Sequence, residues 1–117
     1  MSGSDKLLVN RIPKSITLSL SYDELKVLDR WLGAAAQLQP ARNRSNALLI
    51  ILLSRAWMKT QRLLITQKDT VKVSLTVEES LALHNLIKTS DPTYDMYEYA
   101  VITNIYANID RVITAAL

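Results

Sequence analysis

A strand-like segment followed by a helix-capping motif occurs twice in this chain, 55 residues apart. The run from Ser15 to Glu24 aligns without a gap with the run from Thr70 to Glu79. A repeated supersecondary unit indicates that the two copies share one core. The coinciding apolar pairs are Ile16 with Val71, Leu18 with Val73, Leu20 with Leu75, Leu28 with Leu83, Trp31 with Leu86, and Leu32 with Ile87.

Each copy begins with alternating polar and apolar residues, which is the pattern of a half-buried β-strand. The apolar residues should face a core, and the polar residues between them should face outward. A two-stranded ribbon needs both copies, because a lone strand would leave its backbone groups unpaired. The outward residues are Ser15, Thr17 and Ser19 in the first copy, and Thr70, Lys72 and Ser74 in the second.

A capping box ends each predicted strand. Ser21 with Glu24, and Thr76 with Glu79, have the Ser/Thr-x-x-Glu spacing that satisfies the free amide groups at a helix start. The same change from strand to helix is therefore predicted twice. For Glu79, capping explains the residue better than a catalytic pairing with its neighbour Glu78.

Two helices should follow the first strand. Apolar residues at helical spacing predict a helix to about Gln37, and a turn containing Pro40 should follow. The second helix should begin near Asn43 or Ser45 and end near Met58. Because that helix is apolar nearly all round, we expect it to be buried nearly all round.

The second copy should repeat this plan with a shorter turn. The helical spacing of its apolar residues predicts a helix over 77–88 and a last helix from Pro92 or Tyr94 to about Thr114. The chain should therefore divide into copy one (13–58), a partly helical linker (59–69) and copy two (70–114). The expected fold is mainly α, with one short two-stranded antiparallel ribbon. The apolar face of the last helix should be Tyr97, Val101, Ile105, Ile109 and Val112.

Charge and composition narrow the possible partners. The net charge is +3, but residues 1–59 carry +5 and residues 60–117 carry −2. A basic first half favours a polyanion, although an ordinary solvated surface gives the same pattern. The chain has no cysteine, which excludes disulfides and thiolate metal sites. The longest apolar run, Ala47 to Leu53, is too short to cross a membrane, so we expect a soluble, cytoplasmic protein.

The succession of strand, capping box, amphipathic helix, turn and apolar helix resembles the ribbon-helix-helix family, the MetJ/Arc/CopG repressors of prokaryotes and their plasmids. The best-matching run is Ser15 to Ser21, and the resemblance covers about 13–58 and, more weakly, 69–114. Family members pair two strands in a homodimer. Two copies in one chain imply a monomeric pseudo-dimer, similar in architecture to the TraY accessory proteins of conjugative plasmids; further assembly on DNA stays open.

The resemblance implies that the ribbon enters the major groove of double-stranded DNA. Lys72 would reach guanine O6 and N7, whereas hydroxyls specify bases weakly. Because the two triplets differ, the target should be an imperfect palindrome or asymmetric. The alternative is a polar face that is merely solvated. The base-reading residues would be Ser15, Thr17, Ser19, Thr70, Lys72 and Ser74.

The resemblance also implies a phosphate held at the start of the second helix, where amide groups and the helix dipole favour an anion. The second copy departs from this pattern, since Asp91, Asp95 and Glu98 surround the equivalent helix start and would repel phosphate. We expect that half to contribute mainly its strand. The phosphate-binding residues would be Arg42, Asn43, Arg44 and Ser45, with Lys14 just before the first strand.

Other candidate sites are weaker. His84, the single histidine, is expected at the surface, and Trp31 and Trp57 in the core. No glycine-rich phosphate loop occurs in the sequence, and we expect no enzyme activity, no cofactor and no metal. The leading hypothesis is a transcriptional repressor or a plasmid or mobile-element accessory protein. One alternative is a protein-interaction module, such as an antitoxin or assembly partner. Another is that copy one dimerises between chains.

Overall fold

The two repeated segments pair with each other in one antiparallel ribbon, as their alternation predicts. The computed structural model describes residues 14–38, 44–90 and 95–116, without the side chains of 37, 38, 44–46 and 116. Strand β1 spans Ser15–Ser21 and strand β2 spans Thr70–Thr76. The register places Leu18 opposite Val73, the two residues that occupy the same position in the repeat. The strands therefore pair within a single chain.

Each strand is followed by two helices in the described part of the chain. The helices are α1 (Tyr22–Leu38), α2 (Arg44–Ile65), α3 (Val77–Thr89) and α4 (Met96–Ala116). Helix α1 packs on α2, and α3 packs on α4. The contacts between the two copies also correspond, since α2 contacts α3 and β2, and α4 contacts α1 and β1. None of these helices is long and apolar enough to span a membrane.

The inner face of the ribbon forms the base of one apolar core. Its six side chains are at most 5% exposed, and they join buried residues from all four helices in a single cluster. A two-stranded ribbon is at best marginally stable by itself in water. Burial of this face against the helices is therefore what stabilises the pairing. The six residues are Ile16, Leu18, Leu20, Val71, Val73 and Leu75.

Helix α2 is longer than the sequence predicts. It continues past Met58 to Ile65, so the predicted linker over 59–69 is helical for more than half of its length. The reason is that Leu63 and Leu64 pack against the core and hold the added two turns in place. The remaining connection is the tight turn before β2, in which Gln67 has a φ of 53°.

The prediction that α2 is buried nearly all round is wrong. Leu53 and Ala56 are buried, but Leu48 is 59% exposed and Ile51 is 50% exposed. The neighbouring elements in the described structure cover one side of α2 and leave these two residues on the other. An apolar residue does not guarantee burial, since much of a protein's surface is apolar.

Helix α4 begins at Met96 in the described structure, and the predicted starting residues, Pro92 and Tyr94, lie outside the described residues. Asp95 caps it, because its Oδ1 atom accepts hydrogen bonds from the amides of Tyr97 (2.9 Å) and Glu98 (3.1 Å). Tyr97 lies in the first turn on the same side of α4 as Val101, but it is 52% exposed, so it is not buried with the rest of the predicted apolar face. Val101, Ile105 and Ile109 are buried as predicted, together with Ile102.

Truncation of Leu18 tests whether the buried face of the ribbon stabilises the fold. Leu18 is 2% exposed, so Leu18→Ala should lower the free energy of unfolding by about 2–5 kcal/mol through lost burial and a cavity. Thr17→Ala, the exposed neighbour on the same strand, should cost at most about 1 kcal/mol. Urea denaturation measures both values. Equal losses for the two variants would contradict this account.

Candidate nucleic-acid interface

The structure brings all six predicted base-reading residues to one exposed face. Thr17 lies opposite Ser74, and Ser19 lies opposite Lys72, so four of the six form two adjacent cross-strand pairs. Directly opposed residues in an antiparallel pair have their Cβ atoms about 4.5–5.5 Å apart. The six exposed residues are Ser15, Thr17, Ser19, Thr70, Lys72 and Ser74.

Two further hydroxyl residues extend this face, which we call the outer ribbon face. The register pairs Ser15 with Thr76 and Thr70 with Ser21. Sequence reasoning assigned Ser21 and Thr76 to capping alone, although the polar/apolar alternation continues through both. They do cap: Ser21 Oγ accepts from the Glu24 amide (3.2 Å), and Thr76 Oγ1 accepts from the Glu79 amide (3.1 Å).

Within the two strands, Lys72 is the one charged residue. The other seven outward positions are serines and threonines, so the outer ribbon face carries no carboxylate. Lys14, which is exposed, directly precedes β1. Lys72 lies opposite Ser19 on β1. Lys14 is five residues before Ser19, which is about 16 Å along the strand at 3.3 Å per residue. Positive charge is thus available in both halves of the ribbon.

The corner between β2 and α3 is held by a buried carboxylate. Glu79, whose side chain is 3% exposed, accepts hydrogen bonds from the Thr76 amide (2.8 Å) and from Lys59 Nζ (2.6 Å). Lys59 Nζ also donates to the carbonyl oxygen of Ser74 (3.1 Å). One lysine therefore joins α2 to the strand and to the helix that follows it. The predicted capping role of Glu79 is confirmed.

The pKa of Glu79 is set by two opposing effects. Burial by itself raises the pKa, but the hydrogen bonds from Lys59 and Thr76, with the charge of Lys59, outweigh burial and hold the pKa below 4.5. The carboxylate is therefore ionised at neutral pH.

The matching corner after β1 has a similar bond, in which Glu24 Oε1 accepts from the Ser21 amide (2.9 Å).

The predicted phosphate site falls mostly outside the described residues. Arg42 and Asn43 lie beyond them, as do the side chains of Arg44 and Ser45. Arg44 is the first residue of α2, so the predicted site does lie at a helix start. Whether its side chains hold a phosphate stays a prediction.

At the start of α4, the Tyr97 and Glu98 amides already donate to the Asp95 carboxylate. Glu98 also forms an ion pair with Arg30 of α1. This helix start is therefore occupied by acidic groups, as its sequence suggests, and is poorly suited to a phosphate.

His84 is not the surface residue that the sequence predicts. Its side chain is 18% exposed, and its ring stacks on Tyr106 with centroids 4.3 Å apart. Its Nε2 atom lies 3.0 Å from Asp110 Oδ1. These contacts join α3 to α4, which explains the residue structurally. Among the described residues, no group of three or more acidic, histidine or cysteine side chains is arranged to hold a metal ion.

The two tryptophans pack against the core, as predicted, and both are partly buried. The indole of Trp57 lies against Gly33, where an added Cβ atom would come within 3.0 Å of the ring. The close packing of the Trp57 ring on α1 therefore favours glycine at this position. Neither tryptophan presents a ring to the outer ribbon face for base stacking.

Comparisons of the chain with protein-family models, with curated proteins and with solved structures find no match.

The Glu79 carboxylate should make stability depend on pH. Because its pKa is lowered in the fold, the stabilisation is present above pH 4.5 and is lost as the pH falls through the lowered value. Glu79→Gln should cost about 1 kcal/mol at pH 7, since Lys59 is partly solvent-screened. Urea denaturation from pH 7 to pH 3 should show this difference shrinking. Glu78→Gln, at the exposed neighbouring position, is the control; an equal pH effect there would contradict the assignment.

Proposed function

We propose that this protein binds double-stranded DNA in a sequence-specific way by inserting the β1–β2 ribbon into the major groove. The observation that carries the proposal is the outer ribbon face, which is exposed and presents hydroxyls and one lysine without a carboxylate. The major groove is about 12 Å wide and admits a two-stranded ribbon. Hydroxyl groups both donate and accept, so they suit mixed base edges.

The chemistry of this face favours a polyanion over simple solvation. The chain contains 11 aspartates and glutamates, yet none occupies an outward position of either strand. Phosphates on both sides of the groove would repel a carboxylate there, whereas water would not. Short hydroxyl side chains also let the backbone approach the base edges closely.

The proposal includes a pseudo-dimer of two ribbon-helix-helix copies related by a twofold axis between Leu18 and Val73. Three observations support it. The strand register centres on this repeat-matched pair, both capping boxes form, and the helix contacts of the two copies correspond. Of the outward pairs related by this axis, Thr17 and Lys72 alone differ in chemistry. The DNA site would then be a palindrome that is imperfect where these two residues read.

Such a protein would serve as a transcriptional repressor or as an accessory protein of a plasmid or mobile element. Selection of bound duplexes from a random pool, followed by sequencing, tests the proposal directly. An enriched motif with near-twofold symmetry is expected, with an affinity that falls steeply as salt rises because counterions are released. Recovery of unenriched sequences at all salt concentrations would refute specific recognition.

Lys72 should determine one base of the selected site. Lys72→Ala removes the contact to guanine O6 and N7, so discrimination at that position should fall by about 1–3 kcal/mol while affinity for random duplex changes little. Fluorescence anisotropy with single-base site variants measures this. Thr17→Lys should shift the preference toward a more symmetric site. Lys68→Ala, an exposed lysine outside the strands, is the control. Equal losses on selected and random duplex for Lys72→Ala would refute its reading role.

Arg44 should act on DNA of any sequence. If it contacts phosphate at the start of α2, Arg44→Ala should weaken the selected and random duplexes alike and reduce the salt slope of log K by about 1. Arg111→Ala, on the exposed side of α4, removes the same charge elsewhere and should leave the slope unchanged. A change in base preference without a change in slope would contradict the phosphate assignment.

A protein-interaction module is the second candidate function. The specific observation in its favour is the set of exposed apolar side chains on α2, among them Leu48 and Ile51. An interaction module without DNA binding would return no enriched motif from the random pool. The two functions are compatible in one molecule, because they use different surfaces.

A further inference from the structure

Helix α2 carries an exposed stripe along its outer side, which we call the α2 stripe. Its residues are spaced alternately by three and four positions, which is the heptad spacing of a helix that pairs with another helix. Leu53, Ala56 and Thr60, which are buried, lie on the opposite side, roughly 180° around the helix. The stripe consists of Leu48, Ile51, Arg55, Met58, Arg62 and Ile65.

The apolar members of the stripe are unusually open to solvent. Leu48 is 59%, Ile51 and Met58 are 50%, and Ile65 is 80% exposed. Exposed apolar surface of this kind, when it is contiguous, marks an interaction site more often than scattered single residues do. The stripe runs for about 26 Å at 1.5 Å per residue, which matches a partner helix of about five turns.

At the Leu48 end, the stripe meets a groove of about 300 Å³ between α2 and α3. Its lining is mostly apolar, and Leu81 within it is 46% exposed. Besides Leu48, the lining residues are Leu49, Leu52, Leu81 and Ala82, with the polar residues Glu78 and Asn85. A large apolar side chain from a partner helix fits such a depression. The groove and the stripe are continuous through Leu48.

The charge of α2 restricts what can cover the stripe. Arg55 and Arg62 lie within it, and residues 44–65 contain no aspartate or glutamate. A second copy in parallel would place each arginine beside its own equivalent, and an antiparallel copy would place four arginines on one seam. Residues 1–13 offer one carboxylate, Asp5, against Lys6 and Arg11. Charge complementarity therefore favours an acidic surface, which neither α2 of a second copy nor residues 1–13 supplies.

We propose that the α2 stripe binds an acidic amphipathic helix of a partner protein. Apolar side chains of the partner pack against Leu48, Ile51 and Met58, and its carboxylates pair with Arg55 and Arg62. Arginine suits this role because its planar guanidinium binds a carboxylate through two hydrogen bonds. This interaction is independent of the proposed DNA binding, since it uses no residue of the outer ribbon face.

Two designed helical peptides of 21 residues test the proposal with the full-length chain and no DNA. Both carry leucine at positions a and d; one carries glutamate at e and g, and its twin carries lysine there. Fluorescence anisotropy should show the acidic peptide binding at least tenfold more tightly than the basic one. Weakening of this binding by salt is also expected, because the arginines are solvent-exposed.

Variants of the stripe locate the binding. Arg55→Glu with Arg62→Glu should reverse the preference between the peptides, and Ile51→Ser with Met58→Ser should abolish both. Arg111→Glu with Lys88→Glu changes the net charge equally on α4 and α3, and it should leave the preference intact. Circular dichroism melts establish that each variant is folded, and exposed positions make large losses unexpected.

Three results would overturn the proposal. The first is equal binding of the two peptides, or no effect of the arginine reversal in folded protein. The second is concentration-dependent dimerisation in sedimentation that the Ile51 and Met58 substitutions abolish, which would assign the stripe to a second copy. The third is loss of duplex DNA affinity on arginine reversal with no peptide binding, which would assign the stripe to nucleic acid.

Discussion

The antiparallel pairing of β1 with β2 is the interaction on which the rest of the structure depends. Each strand by itself would leave a row of backbone amides and carbonyls unpaired, and the two strands together are still only marginally stable without a covered face. Pairing creates one continuous apolar surface centred on Leu18 and Val73, which lie directly opposite each other. The four helices of the described chain cover that surface in a single core, so neither copy of the repeat has a complete core of its own.

Covering one face of a two-stranded ribbon leaves the other face available. The helices, the capping boxes and the Lys59–Glu79 contact all lie at the ends of the ribbon or beneath it, and the outward hydroxyls and Lys72 stay exposed. Helix α2 is likewise covered on one side only. One side of this helix completes the core, and the other side carries the α2 stripe. Two surfaces of different chemistry therefore follow from one arrangement.

The parts of the fold that were predicted correctly depend on neighbours in the sequence. Alternation identified both strands, and the Ser/Thr-x-x-Glu spacing identified the start of α1 and of α3. The errors concern contacts between distant residues. Nothing near Met58 in sequence shows that Leu63 and Leu64 pack on the core and prolong α2. The local pattern around His84 likewise gives no sign of Tyr106 and Asp110, which lie on another helix.

The amino-acid sequence alone determined which residues alternate, where the helices after the two strands are capped, and that one unit occurs twice, because residue spacing along the chain defines these properties. The tertiary structure decided in what register the two strands pair and which side of α2 stays in contact with water. Register depends on how two apolar faces fit over a shared core, and burial depends on which elements surround a helix. Register and burial are both set by contacts between residues far apart in the chain, and local sequence patterns do not predict those contacts.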